Sequence, residues 1–379
     1  MNIIKATFEI LEQQYNKETL IEDMFKHIEI CGRTCYKSED KITETSYQKF
    51  IENLEKLEHG AMLEHGTVYL TIPLGTPVDD PQYMWKFDIV RFFKGNPYSK
   101  VKEKVINENV DVEIKGYGMR TQASAHFYFI TTNWRVIFEN KDNLLPKYFF
   151  NNYKIETESL KDSVLQWVVE PTEDHEKRYT VKFTYHLAVA RDVNRHRVQS
   201  IGEESTRYCN YSKEKFGAEL NIIEPIWFNK EEKKYIHTLF DHYRQLAKFR
   251  NMCKTIAECK DGSEFKAIDY WTFVNMACEY GYIQNTSRFG WTPQQASLML
   301  PLDTKTESVH TAFASDWCHF FNLRALGTTG APRPSAKEVA WPLMEEFLDK
   351  GWINLNMIDS QKYLEIKSKF SNIEDYIKK

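Results

Sequence analysis

Apolar side chains recur along the chain with periods that mark helices and strands in turn. In Ser46–Leu57 (SYQKFIENLEKL), Phe50, Ile51, Leu54 and Leu57 share one face at helical spacing, and the first 60 residues as a whole read as helices. Thr67–Ile72 (TVYLTI) reads as a strand, ended by Pro73 and the loop GTPVDDPQ. HFYFITTNWRVIFEN (126–140) predicts a strand running into a helix. Thr180–Tyr185 (TVKFTY) alternates as a half-buried strand does, and in the following HLAVARDVNRHR the residues His186, Val189, Ala190 and Val193 lie on one helical face. Lys230–Asp261 is charged, with Tyr, Leu and Phe spaced as in a surface helix that Cys259–Gly262 ends. In Val309–Arg324 the spacing predicts one helix whose stripe carries Val309, Phe313, Trp317, Phe320 and Arg324, with Gly327 as its stop. Ser335-x-x-Glu338 has the form of a capping box for a further helix, with Val339, Leu343 and Phe347 facing one way and a kink at Pro342.

These elements group around an aromatic-rich, mixed stretch without a clean linker. Residues 74–179 are therefore read as a folded insertion lobe, 1–73 and 180–350 as the two parts of a core, and 351–379 as a C-terminal extension. A length of 379 residues suits about two domains. With 15 Gly and 12 Pro the chain is neither collagen-like nor of low complexity. Fifty Lys plus Arg against 54 Asp plus Glu leave a net charge of −4, which argues against a global nucleic-acid footprint but allows a local basic pocket. No apolar run approaches the roughly 18–20 residues of a membrane span. Glu9 and Glu12 fall where a signal peptide needs unbroken apolar residues, so a cytoplasmic location is expected. The 7 cysteines are scattered and odd in number, against a disulfide framework. Cys31 and Cys35 lack a second pair at zinc-binding spacing, so no metal is expected.

The densest polar cluster is Arg195–Tyr208 (RHRVQSIGEESTRY), with three Arg, one His, two Glu and two Ser in 14 residues. Side chains one apart on a helix point about 100° apart, so Arg195, His196 and Arg197 fan out. Guanidinium forks suit phosphate and carboxylate, which reads as a site for a phosphorylated planar ligand. A solvated turn of mutually paired Arg and Glu fits the same composition. Arg324 tilts the balance, because a cation on an apolar stripe is costly unless an anion, a carbonyl or water meets it. Snorkelling at a helix C-terminus is the plainer account of that residue. His59 and His65 flank HGAMLEH, and two His six apart do not share a helical face.

His59-x5-His65 with Leu63-Glu64-His65 before a strand, then RHRVQSIGEESTRY, then LPL (300–302) and HFFNLR (319–324), resembles the flavin-dependent thymidylate synthases in type and order of segments. The resemblance covers roughly residues 20–72 and 178–348. It implies an α+β, mixed helix–sheet protomer of that family's type with a large insertion, assembled as a homotetramer. It implies conversion of dUMP to dTMP with FAD as cofactor and NADPH and 5,10-methylenetetrahydrofolate as co-substrates. By motif position, Arg195, His196, Arg197, Glu203 and His319 would approach the flavin, with His59 near the folate and flavin side. The substrate side would take Asp192, Arg195, Glu203, Glu204, Ser205, Thr206, Arg207, Ser297 and Arg324. Of these, Arg324 would lie against the pyrimidine ring, favour ionisation at N3 and be the catalytic residue.

The protein need supply no nucleophile if the cofactors carry the carbon and hydride, and no Pro-Cys dipeptide of the cysteine-dependent synthases is present; Cys209 reads as incidental. Several positions depart from the family pattern. Gly202 replaces an Asn, Asp192 a Gln, Ser297 an Arg, and Phe313 and Ser315 an Asn and an Arg. Lys305 and Arg333 are candidate replacement cations. These departures keep open a relative that modifies another pyrimidine nucleotide at C5. A single-stranded nucleic-acid-binding protein built on the basic cluster and 54 aromatics is the non-enzymatic alternative.

Overall fold

The computed structural model describes residues 1–75, 82–107, 124–141, 144, 163–243, 250, 253–254 and 265–379. Helix and sheet are mixed throughout. The chain opens with two strands rather than helices, β1 (Asn2–Ile4) and β2 (Thr7–Leu11), before the helices α1 (Leu20–Tyr36), α2 (Ser46–Lys56) and α3 (Gly60–Leu63). Segments of 3 and 5 residues are too short to show a period of their own, and long-range partners make them strands. β1 pairs in parallel with β8 (Asn221–Ile223), and β2 pairs antiparallel with β6 (Arg178–His186).

The central sheet has the order β2–β6–β9–β7, all antiparallel, with β7 at Ser200–Glu203 and β9 at Lys305–Phe313. The single helix read over Val309–Arg324 is thus corrected. Its first five residues close β9, and helix α10 covers Ala314–Phe321. Valine and phenylalanine four apart satisfy a helical stripe, but Val309 and Phe313 also lie on one face of a strand, where residues two apart align. Both faces of this sheet are covered, so β9 is buried along almost its whole length and shows no apolar-in, polar-out alternation. Val181, Phe183 and Tyr185 of β6 are fully buried against α6 (Leu187–Val193), α10 and α11 (Pro334–Asp349). Trp317 centres this core, with ring contacts to Phe183, Phe320, Phe321 and Phe347 and its Nε1 donating to the Tyr179 carbonyl at 3.1 Å.

Helix α11 starts at Pro334 with Arg333 as N-cap and no side-chain capping bond, so Ser335 and Glu338 do not form the expected box. Pro at the first helical position is pre-set for helical φ and loses no bond there. Val339, Leu343 and Phe347 are buried as their spacing predicts, and the helix runs on through Pro342.

A second sheet, β3–β5–β4, joins β3 (Thr67–Leu74) to β5 (Ser124–Asn133) and β4 (Lys100–Asn107). Its core is continuous with the N-terminal helices: Met24, Ile28, Ile51 and Leu54 cluster with Leu70, Ile72, Tyr128 and Ile130, and with Trp85 and Phe93 of α4 (Tyr83–Gly95). The strand running into a helix over 126–140 appears as β5 followed by α5 (Trp134–Glu139), capped by the Asn133 side chain. A third cluster lies between β1, β8 and helix α8 (Ala267–Ser287). Helix α7 is described over Lys230–Tyr243; most of its expected continuation to Asp261 lies outside the described residues. Among the described residues no helix is long and apolar enough to cross a membrane.

Candidate active site

After α10 the helix widens into one π-helical turn, Asn322–Leu326, closed by Gly327 at φ 70°. A Cβ at Gly327 would stand 2.9 Å from the Gly330 carbonyl oxygen and 2.7 Å from Pro332 Cδ, so both conformation and space demand glycine. Such turns recur at functional sites because they redirect a side chain out of the helical register. Here the redirected residue is Arg324. Its Nε donates to His196 Nε2 at 3.1 Å, and its Nη2 donates to the Asp192 carbonyl.

Burial lowers the Arg324 pKa, with Asp192 opposing and Arg195 adding to the shift. His196 is buried, and its imidazole is pushed down to about 4 by that burial, by the Arg324 guanidinium and by His319. A neutral imidazole that accepts at Nε2 carries its proton on Nδ1. The His196 ring meets His319 at 5.8 Å and Phe320 at 5.0 Å.

Arg195 and Arg197 are exposed on the same turn, as is Arg191 one helical turn earlier. Among the described residues none of the three has an acidic partner within ion-pair distance. Asp192 is instead paired with Arg333 at 3.1 Å, so the anion at this position is already balanced. Glu203 accepts from Asn194 at 2.7 Å and Thr306 at 3.2 Å, and burial raises its carboxyl while those bonds oppose the rise. The fold thus brings Asp192, Arg195, His196, Arg197, His319 and Arg324 together, with Glu203 tied to the end of α6 through Asn194.

The remaining residues lie apart from that group. Glu204 turns inward: it accepts from Tyr211 at 2.9 Å and pairs with buried Lys305 at 2.8 Å. Lys305 also pairs with Glu307 at 3.0 Å, which makes it part of an internal ion cluster rather than a free cation. Ser205 begins a tight turn, its carbonyl accepting from Cys209 N at 2.9 Å; Thr206 follows half-buried and Arg207 exposed. Arg207 Nε reaches Gln294 at 3.3 Å, and the Ser297 hydroxyl donates to the Gln294 carbonyl at 2.8 Å. His59 is exposed at the N-cap of α3 and makes no side-chain capping bond.

Three departures from the family pattern have local causes. A Cβ at Gly202 would come within 2.6 Å of Cys35 Sγ and 3.0 Å of Met62 Cε, so α1 and α3 leave no room for an Asn there. Phe313 is buried at the end of β9 under the guanidinium of Arg178 at 5.5 Å. The Ser315 hydroxyl donates to Glu176.

Asn194, Thr306, Gln199 and His310 are residues of this region that sequence reasoning passed over. The helix read over Val309–Arg324 hid His310, which lies on strand β9 on the same face as Thr306 and Ser308.

The model of the family described as thymidylate synthase complementing protein matches residues 172–350. Among solved structures, a UMP/dUMP methylase PolB from Streptomyces cacaoi bound with 5-Br dUMP is 12% identical with a TM-score of 0.34, over 92% of this chain and 93% of that one. The same methylase bound with 5-Br UMP gives 13% identity and a TM-score of 0.33, over 92% of each chain. No curated protein matches the sequence.

Proposed function

We propose, from the match of residues 172–350 to the thymidylate synthase complementing protein family, that the chain is a flavin-dependent thymidylate synthase. It would methylate dUMP at C5 to dTMP, with methylenetetrahydrofolate as carbon donor and NADPH as the source of reducing equivalents. The observation that carries this reading is Arg324 held by neutral His196 beside Arg195 and Arg197, which have no acidic partner among the described residues. Unpaired guanidinium forks on one turn suit the diphosphate and phosphate of FAD and a nucleotide, so the donor set fits the cofactor.

In this reading Arg195, His196, Arg197, Glu203 and His319 hold FAD, with His59 on the folate side. Ser205, Thr206 and Arg207 face the nucleotide phosphate. Bound FAD supplies the hydride, and the chain's own work is binding, orientation and placement of charge. Arg324, its fork aimed by His196 and the Asp192 carbonyl, keeps a fixed positive charge where a pyrimidine would lose the N3 proton. A protonated His196 would oppose that cation and lose its acceptor, so the depressed imidazole pKa keeps Arg324 oriented at neutral pH.

Titration with FAD tests the cofactor assignment. Wild type should bind and turn yellow, whereas folded Arg195→Ala, Arg197→Ala double variants should lose at least about tenfold in affinity, the scale of one charge-assisted bond. Protein that stays colourless with added FAD would refute the flavin reading. A second reading, methylation of another pyrimidine nucleotide, is favoured by uncharged Ser297, whose hydroxyl is taken by the Gln294 carbonyl. Turnover compared between dUMP, UMP and dCMP separates the two.

A homotetramer is proposed as well. Helix α8 turns Tyr270 and Val274 outward beside Leu298, which is 89% exposed, and Leu302, along a groove of about 860 Å³. Contiguous apolar surface of this kind suits contact with a further copy. Light scattering should return a mass above the monomer, and Val274→Glu with Leu298→Glu should lower it; a wild-type monomer at micromolar concentration would contradict the assignment.

A further inference from the structure

Strand β7 starts just after the Arg195–Arg197 turn, and the first two side chains beyond that turn's Val198 are gripped from opposite faces of the sheet. On one face Gln199 Oε1 accepts from His310 Nδ1 at 2.9 Å. His310 Nε2 in turn accepts from the Ser308 hydroxyl at 2.9 Å and meets the Tyr185 hydroxyl at 3.3 Å. On the other face Ser200 Oγ accepts from Arg178 Nη2 at 3.1 Å, while Arg178 Nη1 donates to the Glu64 carbonyl at 3.1 Å and to Thr67 Oγ1 at 3.3 Å. Consecutive residues of an extended chain point to opposite faces, and β7 is pinned to β9 with Ser200 opposite Thr311 and Ile201 opposite His310.

Core stability alone does not account for this arrangement. Arg178 is 8% exposed, and among the described residues its side-chain bonds all go to neutral acceptors, its Nε has no partner and no carboxylate lies within ion-pair distance. Gln199 Nε2 is likewise a buried donor without an acceptor among the described residues. Apolar side chains of similar volume would fill both places at lower cost. Polar groups add direction: a hydrogen bond fixes where the strand backbone sits and at what angle, which dispersion contacts do not.

We propose that Arg178 and His310 are positioning residues, a two-sided clamp that sets the Arg195–Arg197 turn in the geometry its ligand needs. The role of that turn rests on the flavin reading above. Arg178 does a second thing with the same guanidinium. By holding Glu64 and Thr67 it ties the segment after His59 to β7, so one side chain sets the spacing between the His59 segment, assigned to the folate side, and the turn assigned to the flavin. Neither residue touches the ligand in this scheme; each acts through Gln199 or Ser200.

Amide hydrogen exchange on the full chain, read by mass spectrometry, tests the clamp with or without flavin. His310→Phe and Ser200→Ala each release one face, and His310→Asn returns a donor near the position of Nδ1. Exchange over 194–203 should rise about tenfold in the first two variants, the factor set by one lost hydrogen bond, with no change over 178–186. His310→Asn should recover most of the protection, and FAD affinity should follow the same order. Unchanged exchange over 194–203 in variants of wild-type melting temperature overturns the proposal. Equal rises over 178–186 and 305–313 also overturn it, because they mark a general role in the core. Local loosening in a chain that never binds FAD would uphold the clamp and sink the flavin reading.

Discussion

Arg324→Ala should lower turnover with dUMP by about 10²–10³, the cost of removing one preorganised electrostatic donor, or roughly 3–4 kcal/mol of transition-state stabilisation. The expected loss appears in kcat more than in FAD binding, because the guanidinium is aimed at charge that develops only during reaction. Arg324→Lys should be nearly as poor. A lysine keeps the charge but lacks the planar fork whose separate Nε and Nη2 atoms donate to His196 Nε2 and the Asp192 carbonyl, the two contacts that aim it. A snorkelling arginine at a helix end predicts something different, about 1 kcal/mol of stability and near-normal rates. Oxidation of reduced flavin that depends on dUMP, measured with melting temperatures for wild type and both variants, decides between them. Turnover within a few-fold of wild type in both variants would end the catalytic assignment.

Acid should destabilise the fold well before ordinary carboxylates titrate. Burial pushes His27 down to about 4, helped by Arg178, and pushes His310 down to about 3, helped by His196. His65, fully buried, is shifted the same way. Unfolded histidine titrates near 6.5, so below about pH 6.5 the unfolded chain takes up protons that the folded chain refuses. The stability each group contributes is complete above that pH and falls by about 1.4 kcal/mol per pH unit per histidine until the folded pKa is reached. Glu338 works against this: burial raises its carboxyl to about 7, so it gains a proton in the folded state as pH falls. The three buried histidines outnumber it by two, which leaves a net loss of about 4 kcal/mol from pH 6.5 to 5, or on the order of 5 °C in melting temperature for a chain of 379 residues. Thermal melts from pH 8 to 5 should show the decline, and His27→Gln should flatten it by one histidine's share. A melting temperature that holds steady or rises toward pH 5 would contradict the assignment of neutral buried histidines.

The candidate site is legible in the sequence, because it is carried by residue types at short spacing. Arg195-His196-Arg197 and Arg324 mark a candidate anion site, a composition that a solvated turn of paired Arg and Glu shares, and local propensity marks α2, α6, β6 and the apolar face of α11. Short-range pattern failed where both faces of an element are buried. β9 offers no alternation between inside and outside, so a four-residue apolar spacing within it passed as helix. What only tertiary structure decides is pairing across long stretches of chain. His196 meets Arg324 over a separation of 128 residues, Gln199 meets His310 over 111, and Arg178 meets Thr67 over 111. Glu204, which looked like a ligand contact beside Ser205, is turned inward by Lys305 over a separation of 101 residues. Sequence determines which groups can hold charge and accept protons. Burial and strand register determine which of them face a ligand, because desolvation and hydrogen-bond geometry exist only once distant segments pack.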